Sequence, residues 1–126
     1  MTAAELDAFD LPDWIGVGEV AWASEEGLGG HLVRGCLSGT SEQLLPCDLL
    51  AVDQAYPAPV LDEALRTRVH QTWQHGQVLL LTREGRATVA TPGTSYTADG
   101  VLEAFTRVAR AVGADPARWS VQLGLS

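Results

Sequence analysis

Lysine and asparagine are absent from this chain of 126 residues, isoleucine and methionine occur once each, and all eight basic residues are arginine. That usage is the imprint of a GC-rich bacterial genome, so the preference for arginine over lysine carries no functional message. Positive charge is scarce: sixteen acidic residues leave a formal net charge of −8. Nucleic-acid partners are held by clustered positive charge, and this balance argues against one. No block of like charges occurs, so the acidity belongs to ordinary solvated faces. Apolar runs of the ~20 residues a membrane span needs are also missing. The N-terminal Met-Thr-Ala-Ala-Glu-Leu-Asp has neither the basic start nor the hydrophobic stretch of a signal peptide, which predicts a cytoplasmic protein. With only Cys36 and Cys47, there is no disulfide framework, and both thiols are expected to be reduced.

What is present is enough for one folded domain. Hydrophobic residues make up 46% and charged residues 19%, a globular balance. A chain of this length buries roughly two-thirds of its unfolded surface. The sequence centres on residues 57–91, which read as a helix running into a β-hairpin. Pro59 suits a first helical position, Asp62 and Glu63 suit the first turn, and Gly76 suits a left-handed stop. Leu61, Leu65, Val69 and Trp73 form its buried stripe, with Thr72 inside and Arg68 beside it. The hairpin is expected to turn at Arg83-Glu84-Gly85 with a bulge, pairing Leu79 with Val89 and Leu81 with Ala87.

Upstream, Thr2-Ala3-Ala4-Glu5 is a capping-box pattern and predicts a short first helix. Strands follow at Val17–Ser24, with Val20 and Trp22 inward, at His31–Leu37, and at Gln43–Asp53. Pro46 lacks an N–H, so the start of the third strand is expected at an edge or bulge. Downstream, Thr97 caps a helix carrying Val101, Phe105, Val108 and Val112, and Gly113 closes it. Trp119–Leu125 alternates as a last strand. The order is α-βββ-α-ββ-α-β. It predicts an α+β domain, with an antiparallel sheet of five to six strands and two main helices packed on one face. In element order, the α-βββ-α-ββ-α part is similar to the type III secretion chaperone-like class, which includes YbjN-type regulators. That likeness implies a small chaperone-like or regulatory domain.

Catalytic and cofactor motifs fail in their context. Gly16-Val17-Gly18-Glu19-Val20-Ala21 spells the dinucleotide fingerprint, but a strand follows it where a helix is needed at the pyrophosphate. His70 and His75 project ~140° apart on one helix and cannot share a metal. His31, Cys36 and Cys47 lack the spacings of a zinc site. Cys47, Asp48 and His70 form no local nucleophile signature, and Asp48 and Asp53 fall on opposite strand faces. No catalytic group, metal or cofactor is expected.

The residues left for binding are Trp14, Ile15, Asp48 and Arg68. Leu11-Pro12-Asp13-Trp14-Ile15 places large apolar side chains in a proline-broken segment, and exposed apolar patches mark interaction surfaces. The expected function is a non-enzymatic interaction domain, with a protein partner or self-association through the Phe9–Ile15 segment and one open sheet edge. The alternative is a small-molecule binding domain or minor enzyme, with a pocket between the sheet and the helices near Arg68 and Asp48 or Asp53 as its carboxylate. Convergence of these charges in a closed cleft would favour the pocket; splaying to solvent would favour the interaction domain.

Overall fold

A computed structural model describes residues 3–53 and 62–123. Its strands are β1 (Ala3–Glu5), β2 (Val20–Ser24), β3 (Leu32–Val33), β4 (Gly35–Ser38), β5 (Leu45–Val52), β6 (Leu79–Arg83), β7 (Arg86–Pro92) and β8 (Trp119–Gln122), with helices α1 (Glu63–Gln74) and α2 (Ala98–Ala111). The fold is α+β, as expected, but the sheet has eight strands in the order β1-β6-β7-β5-β4-β2-β8, with β3 beside β5. It is mixed, not antiparallel: β5 runs parallel to β7, and β8 parallel to β2. The β5–β7 pair is parallel because β6, antiparallel to β7, comes between them in the chain, and the β2–β8 pair follows from the α2 crossover. A 14-residue α2 spans about 21 Å at 1.5 Å per residue, enough to carry the chain back along the sheet so that β8 enters in the direction of β2.

The expected first helix is instead a strand. Ala3–Glu5 pairs with β6, Ala3 opposite Arg83 and Glu5 opposite Leu81. A helix this short pays the full nucleation cost for very few hydrogen bonds, whereas the outer edge of β6 offers a ladder, and Ala3 packs beside Leu79 and Leu81. The order similar to the type III secretion chaperone-like class is therefore not the observed one at its first element.

Asp62 is not in the first turn of α1 but caps it, accepting the Leu65 N–H at 2.8 Å. Pro59 and Leu61 lie outside the described residues. Gly76 and Gly113 take the left-handed conformation expected after each helix. The hairpin register is one residue off the expected one: Leu79 pairs with Ala90, Leu81 with Thr88 and Arg83 with Arg86. Glu84 and Gly85 both have positive φ (54° and 74°), so the loop has two residues with the I′ twist that matches flanking strands. Pro46 sits in an interior strand, with the ladder to β7 starting one residue later at Cys47.

The helices cover opposite faces of the sheet, contrary to the one-face expectation. Alternate residues of β5, β6 and β7 feed two cores. Leu49, Leu80 and Val89 pack with Val101 and Phe105 of α2, while Leu50, Val52, Leu79, Leu81 and Ala90 pack with Val69 and Leu65 of α1. Strands buried on both sides read as continuous apolar runs, and the Val78–Leu81 run is one. On the α2 side, Trp22 is fully buried, donates from Nε1 to the Cys47 carbonyl at 2.8 Å and stacks near Phe105 with centroids 5.0 Å apart. Gly35 makes room for it, since a Cβ there would overlap the indole ring. Arg107 of α2 lies over the Trp73 ring at 3.5 Å and donates to the Trp73 and Gln77 carbonyls at 2.8 and 2.9 Å. It satisfies backbone acceptors at and just beyond the C-terminal end of α1, which helices leave without internal partners.

Candidate functional site

The four residues singled out from the sequence go to three places. Asp48 is fully buried on the α1 face of β5. Arg86, one strand away on β7, donates to it from Nε at 3.1 and 2.9 Å and from Nη2 at 2.8 Å. The same guanidinium donates to the Gly35 carbonyl at 3.1 Å, and Glu25 stands 3.7 Å away. Hydrogen bonding to Asp48 raises the Arg86 pKa above its ordinary value. Arg68 is far from this pair in role: half-exposed, it bonds Glu5 of β1 at 3.1 Å. Asp48 and Arg68 do not converge on a common cleft.

Ile15 is fully buried in the α2-side core, so it contributes nothing to the surface. Trp14, on the 3₁₀ turn Asp13–Gly16, is partly buried against that core. A Cβ on Gly39 would come within 2.7 Å of its ring, so the indole lies directly against the end of β4. From the same N-terminal segment, Phe9 is 90% exposed. It is held out on the turn Ala8–Asp10, whose Asp7 cap accepts the Phe9 N–H at 3.0 Å.

Beside Trp14 and Gly39 is a cleft of about 440 Å³, lined by Glu19, Ser38, Thr40, Arg118, Trp119 and Ser120 among others. One wall is β8. Among the described residues β8 pairs only with β2, so its outer edge has free backbone donors and acceptors. Opposite ends of the sheet are managed differently. The β1 edge is three residues long and carries the Glu5–Arg68 ion pair; short, charged edges discourage pairing. Trp119-Ser-Val-Gln on β8 has no charge and no proline. Trp14 and Trp119 also each have a buried Nε1 without a hydrogen-bond partner.

Sequence reasoning misses Arg86, Gly39 and Trp119 as members of these sites. Arg86 is visible only once β7 is known to lie parallel to β5. Gly39 falls in a stretch that reads as a turn. Trp119 reads as part of a strand, and its ring does stack in the core, 6.3 Å from Phe105. The fingerprint glycines Gly16 and Gly18 precede strand β2, as expected. Cys36 and Cys47 are free thiols, and burial raises both pKa values, that of Cys36 partly offset by Arg86. No group of three or more metal-ligating side chains occurs among the described residues, nor is any helix there long and apolar enough to cross a membrane.

Comparison with protein-family models, curated proteins and solved structures gives no match to this chain.

Proposed function

We propose that the protein is a non-enzymatic, cytoplasmic interaction domain that binds an extended segment of another protein along the outer edge of β8. The observation that carries this reading is the β8 edge, uncharged and unpaired among the described residues, beside the cleft lined by Gly39 and Trp119. A strand added to a sheet edge gains main-chain hydrogen bonds, and pockets for its alternate side chains supply specificity. The cleft, lined by Gly39 and Trp119, supplies such a pocket. Arg68 is half-exposed and Asp48 is locked to Arg86, which supports the interaction reading over a pocket near Arg68. The net charge of −8 disfavours a nucleic-acid partner.

The test uses random peptides displayed on phage, selected on the intact protein, with self-association followed by light scattering. Selected peptides should alternate apolar and polar residues and lose binding to a Ser120→Lys, Gln122→Lys variant. Both side chains are exposed, so the variant keeps its fold. Peptides that bind this variant equally well, or no selectable peptide and a monomer at micromolar concentration, would rule the reading out.

A further inference from the structure

Eight buried side-chain polar atoms among the described residues lack a hydrogen-bond partner. Two are the indole nitrogens of Trp14 and Trp119. The other six are Arg66 Nε, His70 Nε2 and Thr72 Oγ1 on α1, Arg83 Nε and Nη1 on β6, and Thr88 Oγ1 on β7. Buried polar groups in folded proteins nearly always have partners, so these orphans call for a cause.

Arg83 is the most anomalous of them, at 4% exposure. Arg86, its cross-strand partner, is fully engaged by Asp48. Among the described residues the ion-pair partner of Arg83 is Glu84, whose Oε2 lies 4.0 Å from Nη1, beyond hydrogen-bond reach. The same oxygen is 3.9 Å from Nη2 of Arg34. One carboxylate thus stands between two guanidinium groups and bonds neither. It is also held there against backbone preference: Glu84 is the one non-glycine residue with positive φ among the described residues, at a turn position that favours asparagine or glycine. Strained residues cluster at functional sites.

Arg34 also lines, with Glu25 and Glu26 but without Arg83 or Glu84, an open cavity of about 810 Å³ along the loop 25–34, a loop closed by the Glu25 N–H bonding the Arg34 carbonyl at 2.9 Å. The side chain of Glu84 is 44% exposed. With it turned outward, Arg83 and Arg34 would present donors to one acceptor. The Arg83 guanidinium can only donate, and the nearby buried carboxylate, Asp48, is already occupied by Arg86. The partner Arg83 lacks is therefore an acceptor, and negative charge suits it. Guanidinium forks match the oxygens of carboxylates and phosphates.

We propose that Arg83 and Arg34 form a binding site for an oxyanion, a phosphate or carboxylate group of a small molecule, with Glu84 closing the site until the anion displaces it. The proposal stands apart from the β8 edge.

The test is calorimetric titration of the intact protein with inorganic phosphate and, separately, with succinate. Thermal midpoints are recorded in parallel against chloride at equal ionic strength. One of the two anions should bind and raise the midpoint by a few degrees, the identity of the binder separating phosphate from carboxylate. Glu84→Gln, which removes the competing carboxylate and keeps the turn, should tighten binding by roughly three- to tenfold. Arg83→Met should abolish it. Arg34→Gln, at an exposed position, should weaken it at least tenfold, which keeps the test decisive if Arg83→Met folds poorly. Arg68→Gln should bind as the parent does. Absence of binding in both the parent and Glu84→Gln would overturn the site, as would binding indifferent to Arg34→Gln.

Discussion

Asp48 and Arg86 sit on adjacent parallel strands, and the guanidinium holds both carboxylate oxygens, at 2.9 Å from Nε to one and 2.8 Å from Nη2 to the other. The pair ties β5 to β7 in the middle of the sheet, and through the Gly35 carbonyl it reaches β4 as well. A carboxylate this buried costs several kcal/mol in desolvation, and the bidentate partner offsets that cost. Asp48→Asn or Arg86→Met alone should therefore destabilise the fold by about 3–5 kcal/mol, because each leaves an unpaired polar group inside. The double change, Asp48→Leu combined with Arg86→Met, should recover most of that loss. Urea unfolding of the three variants measures the cycle; equal losses in the single and double variants would mean that the pair is not the source of the cost.

The α2 side of the sheet is predicted to be the stiffer core. Phe105 is 1% exposed and lies between Trp22 and Trp119. Phe105→Ala should cost about 3–5 kcal/mol as a cavity-forming change. Leu65, on α1, is only partly buried, and its change to Ala should cost about 1–2 kcal/mol, at or below the low end for buried leucine. Gly35→Ala adds a third reading of the same core. A Cβ overlapping the Trp22 ring forces overpacking that costs about 1–3 kcal/mol or more. Denaturant midpoints order the three, and a Leu65 loss as large as that of Phe105 would contradict the two-core description.

Elements were legible in the sequence where local signals agreed with tertiary demand. Thr97 and Gly113 bracket α2 as its caps require, and the buried face carried by Val101, Phe105 and Val108 follows from period alone. What could not be read was pairing. Ala3–Glu5 satisfies a capping box and still becomes a strand, because β6 offers it a ladder and a core contact. The hairpin slipped by one residue because Glu84 adopts a left-handed conformation that glutamate rarely takes. The Asp48–Arg86 pair spans 38 residues and depends on β5 and β7 being parallel. Ile15 and Trp14 are neighbours in sequence, but the 3₁₀ turn buries one fully and leaves the other partly buried, a division no composition rule reports.

The two thiols should behave differently. Cys47 is 2% exposed and burial pushes its thiol well up, whereas Cys36 is only partly buried and Arg86 opposes the rise. A thiol reagent at pH 8 should label Cys36 slowly and Cys47 only on unfolding. Tyr96, buried and sharing a 2.8 Å hydrogen bond with Thr91, is likewise pushed up. Groups whose folded pKa exceeds the unfolded value contribute stability that is complete below the unfolded pKa and is lost as pH rises toward the folded one. Stability should thus fall from about pH 9 upward, beginning near the unfolded cysteine value and steepening near that of tyrosine. Cys47→Ala should flatten the first part of that decline. Rapid labelling of both thiols in the native protein, or a stability flat to pH 11, would contradict the burial described for these groups.

The N-terminal segment separates structure from association. Phe9 is 90% exposed and touches little, so Phe9→Ser should change stability by less than about 0.5 kcal/mol. Trp14 lies against Gly39 and packs on the core, so Trp14→Ala should cost about 2–4 kcal/mol, below the range for a fully buried tryptophan. Gly39→Ala should reproduce part of that loss by displacing the same ring, since its Cβ would sit 2.7 Å from the indole. If the N-terminal segment adds to a partner surface, Phe9→Ser weakens association while stability holds. Association measured by light scattering and peptide binding, beside unfolding curves of the same three variants, distinguishes the roles. Loss of stability in Phe9→Ser, or a Trp14→Ala variant as stable as the parent, would reverse the assignment and make Phe9 the structural residue of the pair.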